Sequence, residues 1–160
     1  MVRFAVLALV VTGVLGAACD PGSLYDGPVV GPDGGVSLCT PEVAPRGDGH
    51  HNPGMACMTA GCHRNGSGPA FTVAGTLYDR AHSGVPVAGG TIVVIDGDGK
   101  RVELATAQNG NFWTSEPLAT PFLLKASQCP HDHPMISLSQ DGDCNRSGCH
   151  GTTDIRVGLE

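Results

Sequence analysis

The rhythm of apolar and polar positions divides this chain into parts. Phe71, Val73 and Leu77 fall on one alternation face with Gly75 between them, Thr91-Ile-Val-Val-Ile-Asp96 is a β-branched run, and Arg101-Val-Glu-Leu-Ala-Thr-Ala107 alternates with period two. Runs of this kind, bounded by turn residues, read as strands. Asp96-Gly-Asp-Gly99 marks one hairpin turn and Asn109-Gly110 the next, Asn-Gly being the strongest short hairpin signal. Asn111-Phe-Trp-Thr114 and Phe122-Leu-Leu-Lys-Ala126 complete an expected antiparallel meander. Residues 70–128 are therefore expected to form a small antiparallel β-sandwich, in a mainly β chain with little helix.

Composition sharpens this. The 160 residues include 24 glycines and 12 prolines, and aromatics are only 4%. Beyond residue 22 the longest stretch free of both Gly and Pro is Lys100 to Asn109. Interior Gly costs about 1 kcal/mol and Pro about 3 kcal/mol in a helix, so a helical bundle is excluded. The formal net charge of −6 excludes the basic footprint of a nucleic-acid binder. No Ser/His/Asp set, paired-carboxylate site or phosphate loop is visible, so no enzymatic activity is expected. Asp96-Gly-Asp-Gly99 resembles the start of a calcium loop, but the closing Glu is missing downstream, which leaves the hairpin turn.

The N-terminus reads as an address. Arg3 is followed by an apolar run from Phe4 to Leu15, too short to span a bilayer, and then by Gly16-Ala17-Ala18-Cys19. Leu15-Gly-Ala-Ala-Cys19 resembles a bacterial lipobox. The resemblance implies a signal peptide over 1–18, lipidation of Cys19, and an exported lipoprotein of the cell envelope, on the periplasmic side or at the cell surface. Cleavage after Ala18 without lipidation, or retention as an anchor, are the alternatives, and each places the chain outside the cytoplasm. Residues 19–49, rich in Gly, Pro and Asp, read as a flexible tether, with structure beginning near Cys39.

Two Cys/His clusters flank the sandwich, over 50–69 and 129–160, the second together with an expected last strand. Seven cysteines is a high count for this length, and six follow Cys19. Outside the cytoplasm free thiols oxidise unless they carry something. Cys57-Met-Thr-Ala-Gly-Cys62-His63 and Cys144-Asn-Arg-Ser-Gly-Cys149-His150 are one pattern twice, Cys-x4-Cys-His. It is a spacing variant of the c-type haem motif, in which two thioethers hold the porphyrin and the adjacent His binds iron. Three readings stay open on the residues alone. They are two haem sites, two local disulfides, or zinc held by Cys57, Cys62 and His63 with His50 or His51.

Two family resemblances bear on the choice. Val73-Ala-Gly75-Thr, Pro86-Val-Ala-Gly89, Thr91-Ile-Val-Val-Ile-Asp96 and Gln108-Asn-Gly-Asn-Phe112 are similar to the carboxypeptidase regulatory-like module, a transthyretin-like β-sandwich. That similarity implies a fold and no chemistry. From His51-Asn-Pro-Gly through Cys62-His63 to Gly142-Asp-Cys144 and Cys149-His150, the chain resembles small secreted bacterial dihaem cytochromes. This resemblance implies electron transfer, with Cys57, Cys62, Cys144 and Cys149 as attachment sites and His63 and His150 as proximal iron ligands. His50, His51, His131 and His133 are the candidate distal ligands, with Met55, Met58 and Met135 as alternatives, and His82 is left over. On that reading Cys39 and Cys129 remain, and they can pair. The bridge would pin the first cluster to the far end of the sandwich. The implied cofactors are two covalent haems and the implied partners redox proteins, with the membrane reached through the lipid anchor. An acidic surface suits a basic redox partner. The rival reading is a non-catalytic, disulfide-stapled β-sandwich lipoprotein acting as a binding or structural module.

Overall fold

The computed structural model describes residues 29–30, 36–37, 39–59, 61–82, 84–151 and 156–160. The leader and Cys19 lie outside the described residues. The described part is β structure joined by turns. β1 (Val29–Val30) pairs antiparallel with β2 (Val36–Ser37) within the expected tether. The remaining strands are β3 (Val73–Thr76), β4 (Thr91–Ile95), β5 (Arg101–Ala105), β6 (Asn111–Thr114), β7 (Leu123–Gln128) and β8 (His131–Pro134). They form two antiparallel sheets, β3–β6 and β5–β4–β7–β8. Among the described residues no helix is long and apolar enough to cross a membrane.

The core lies between these sheets. Val73 and Leu77 come from β3 and its exit, and Phe112 from β6. Ile92, Val94, Leu104, Leu124 and Ala126 come from the larger sheet. β4 is central in that sheet and Thr91 through Val94 are all buried, which is why its sequence is a continuous β-branched run. β5 lies on the edge and alternates between exposed Arg101 and Glu103 and buried Leu104.

The expected meander is corrected at β6. The Asn109-Gly110 turn forms, with the Gly110 N–H on the Ala107 carbonyl (2.9 Å) and the Ala107 N–H on the Asn111 carbonyl (2.8 Å). Yet β6 does not continue the sheet of β5. It pairs with β3, Gly75 opposite Phe112 and Thr76 opposite Asn111. The side chain of Asn111 makes that choice. Buried, it accepts from the Thr76 hydroxyl (2.7 Å) and donates to the carbonyls of Gly49 (3.0 Å) and His51 (2.9 Å). The turn is thus a corner between sheets.

The Asp96 turn is a hairpin held by one carboxylate. Oδ1 accepts from the N–H groups of Asp98 (3.0 Å) and Lys100 (2.8 Å), and Oδ2 from that of Ala119 (2.9 Å). The bond from Ala119, joined by those from Lys100 and Asp98, holds this carboxyl below its usual pKa. A carboxylate depressed in the folded state adds stability that is fully present above its unfolded pKa, about 3.9. That contribution is lost as the pH falls through the folded value. Wild type is therefore expected to out-stabilise Asp96→Asn at neutral pH, the two urea midpoints converging as the pH drops below about 4. Parallel midpoints at every pH would exclude the role.

Residues 39–49 lie against the sandwich. The Val43 N–H donates to the Gly89 carbonyl (2.9 Å), that of Arg46 to Thr106 (3.2 Å), and that of Gln108 to Gly47 (2.9 Å). A disulfide joins Cys39 to Cys129, with Cα atoms 4.9 Å apart and a sequence separation of 90. The Cys129 N–H also meets the Thr40 carbonyl (2.9 Å), and the Thr40 N–H the Ser127 hydroxyl (2.7 Å). The bridge therefore pins Cys39 and the segment that follows it to the β7–β8 turn.

Candidate functional site

Each Cys-x4-Cys-His segment closes on itself by the same bonds. In the first, the Cys62 N–H donates to the Thr59 carbonyl (3.1 Å) and the His63 N–H to the Cys57 carbonyl (3.2 Å). In the second, the Cys149 N–H donates to the Arg146 carbonyl (3.1 Å) and the His150 N–H to the Cys144 carbonyl (3.1 Å). The leading thiols match as well. Cys57 Sγ meets the Met55 carbonyl at 3.5 Å and Cys144 Sγ the Gly142 carbonyl at 3.7 Å, each two residues back. Gly61 and Gly148 stand before the second cysteines at φ of +90° and +84°, with open space where a Cβ would be. Backbone conformation, and not crowding, is what calls for glycine there.

Each turn borders its own cavity. The first, of about 600 Å³, is lined by Cys57, Cys62 and His63, by His50 and His51, and by aromatic rings of Phe71, Phe112 and Trp113. His63 stacks on Phe71 with centroids 4.0 Å apart, and Phe71 lies 6.1 Å from Trp113. The second, of about 380 Å³, is lined by Cys144 and His150, by His133 and Met135, and by Ile92, Leu124 and Phe112. Phe112, fully buried, is a wall common to both. Both volumes lie in the range of small-molecule sites, about 300–1,000 Å³.

The two clusters flank the sandwich in sequence but share one edge of it in space. The second turn joins β3 through the Ala74 N–H on the Gly142 carbonyl and the Cys144 N–H on the Ala74 carbonyl (both 2.9 Å). This docking demands Gly75, where a Cβ would come within 2.6 Å of the Phe112 ring and 2.8 Å of Cys144 Cβ. The carboxylate of Asp143 then reaches across to the first turn, accepting from Cys57 N–H (3.1 Å) and Met58 N–H (2.9 Å). Asn145 donates to the Met55 carbonyl (3.1 Å) and the Thr76 hydroxyl (2.9 Å) and accepts from the Thr76 N–H (3.1 Å). Outside this buried weld, Asp141 pairs with Arg64 and Arg146, one residue from each cluster (2.9 and 2.6 Å). Such exposed pairs are worth little singly. The expectation that the Cys39–Cys129 bridge joins the clusters is replaced by this weld. Asp141, Asp143 and Asn145 had not stood out in the sequence. The sole local signal is a carboxylate directly before Cys144, where the first motif has Ala56.

The motif thiols carry no bond to one another; Cys57, Cys62, Cys144 and Cys149 are free. Burial, then the charge of Asp143, then Cys62, pushes the Cys57 thiol up to about 12. The Cys144 thiol is raised too, chiefly by burial and then by Asp143. Both leading cysteines are therefore protonated at neutral pH, whereas the second ones are exposed.

The ring of His63 is oriented by a backbone carbonyl. Its Nδ1 lies 2.9 Å from the Pro69 carbonyl, an acceptor only, so Nδ1 carries the proton and Nε2 keeps its lone pair. Among the described residues no three His, Cys, Asp or Glu side chains converge on a point that could hold a bare metal ion, so the zinc set of Cys57, Cys62, His63 and a further His is not assembled. A porphyrin brings its own equatorial donors and needs only axial ones from the chain. The apolar walls, paired cysteines and Nε2 of His63 fit that group at the first cavity. Cys144, His150 and His133 fit it at the second. Of the other candidates, Met55 and Met135 line the first and second cavities, Met58 is buried in the core, and His82 is exposed in a turn.

No protein-family model matches the chain, and no curated protein or solved structure matches it.

Proposed function

We propose that the protein is an electron carrier holding two covalently attached haems c, with no substrate chemistry of its own. One observation carries the reading. The Cys-x4-Cys-His turn is formed twice by the same hydrogen bonds, and each copy borders a cavity that a further histidine also lines. A chance repetition of sequence would not repeat the bonds and the cavity as well. Free thiols in both turns, beside the bridged Cys39 and Cys129, support haem over the disulfide-stapled module.

Cys57 and Cys62 would hold one haem and Cys144 and Cys149 the other, with His63 and His150 as the adjacent axial ligands. The bound group supplies reversible one-electron chemistry at iron. The chain does the rest. Pro69 fixes the His63 tautomer, Phe71, Phe112 and Trp113 give the first cavity apolar walls, and Asp143 and Asn145 hold the two clusters side by side. Export and lipidation at Cys19, proposed from the leader alone, would keep the carrier at the cell envelope, where an acidic surface steers a basic redox partner.

The test is expression in a host with c-type haem maturation. A c-type visible spectrum, a haem-stained band that survives denaturation, and a mass gain of two haems are expected. Cys62→Ala and Cys149→Ala should each reduce covalent loading from two haems to one. A colourless protein in which all six exported cysteines resist alkylation would overturn the reading in favour of the disulfide module.

A further inference from the structure

We infer that His51 and His133, and not His50 and His131, are the second axial ligands of the two sites. The inference rests on the haem reading above and assigns residues within it.

In the first cavity the rings of His51 and His63 face each other, 5.9 Å between centroids and 22° from parallel. His50 also lines this cavity but is engaged elsewhere. Its ring tilts 47° to Trp113 at 6.4 Å, its Nδ1 lies 3.5 Å from the Asp48 carboxylate, and its N–H donates to that same carboxylate (2.9 Å). The backbone is committed to this choice. His50 and Asn52, on either side of His51, stand at φ of 60° and 50°, in the left-handed region that residues with side chains rarely adopt. Such strain persists where surrounding structure fixes it. Here the fixing is done by Asn111, which holds the carbonyls of Gly49 and His51, and by Thr76, whose hydroxyl accepts from Gly54 N–H (2.8 Å). Both consecutive histidines line the cavity, and this loop sets His51, not His50, against His63.

In the second cavity the sheet register decides. His133 stands opposite Ala126, a core residue that also lines this cavity, and His133 lines it with His150. His131 stands opposite Gln128 at the strand end, and its Nε2 lies 3.5 Å from the Glu160 carboxylate. Met135 also lines the second cavity and is the competitor there.

The experiment uses the full chain matured with haem, comparing wild type with His50→Ala, His51→Ala, His131→Ala, His133→Ala and Met135→Leu. Mass reports attachment, while absorption and EPR spectra report axial ligation. His51→Ala and His133→Ala are each expected to keep two covalent haems and to lose the six-coordinate low-spin signature at one of the two sites. Added imidazole should restore it, which it would not do for a misfolded chain. The other three variants should keep the wild-type spectrum. A loaded protein in which His50→Ala, His131→Ala or Met135→Leu produces that loss, or in which His51→Ala and His133→Ala change nothing, overturns the assignment and leaves the haem reading standing. A wild type without covalent haem overturns both.

Discussion

Asp143→Ala is expected to destabilise the folded chain by about 3–6 kcal/mol, two charge-assisted hydrogen bonds at about 1.5–3 kcal/mol each. The carboxylate is only 3% exposed and takes the N–H groups of both Cys57 and Met58. Its removal leaves two donors in a place where water does not readily replace the lost partner. Asp143→Asn keeps one acceptor oxygen and should fall between wild type and alanine. Urea midpoints, converted with a common slope, measure the series. A second reading of the same variant is local. The start of the first turn loses its anchor, so amide exchange at Cys57 and Met58 should quicken more than that in β4. A loss below about 1 kcal/mol, the scale of an ordinary neutral hydrogen bond, would mean that the two clusters stand without the weld.

Removing the Cys39–Cys129 bridge by a double serine substitution is expected to cost about 4–5 kcal/mol in the chain-entropy treatment of a loop this long. The effect acts largely on the unfolded chain, which gains the freedom of the 90-residue separation. Reductant should lower the wild-type midpoint toward that of the double variant. It should leave the double variant itself unmoved, because Cys57, Cys62, Cys144 and Cys149 form no disulfide. A double variant still sensitive to reductant would reveal bridges within the Cys-x4-Cys segments, against the free thiols described here.

How much of this could be read from the sequence depends on the range of each interaction. β4 and the Asp96 hairpin were legible because a β-branched run and a capped turn are local. The partner of β6 was not. Asn109-Gly110 specifies a tight turn, but the buried amide of Asn111, working on Gly49 and His51 60 or more residues away, decides the sheet. A last strand was expected within 129–160, but the position of β8 was hidden for another reason. His131-Asp-His-Pro134 has no apolar period, since an edge strand can be polar and can carry proline. The site divides the same way. Spacing alone singled out the cysteines and their adjacent histidines. The contacts that set the two clusters together, Asp143 to Cys57 and Met58, span 86 and 85 residues and have no local signature.

The burial of Cys144 carries a last consequence, for the order of events in the life of the molecule. The thiolate, not the thiol, is the reactive form. Cys144 sits in the core cluster between the sheets, and Cys57 beside it is held protonated. Once the sandwich has closed, both sulfurs are held as the less reactive thiol. On the proposed haem reading, attachment at these two cysteines would therefore belong to biogenesis, before the chain has folded. The finished fold would then shield the linkage.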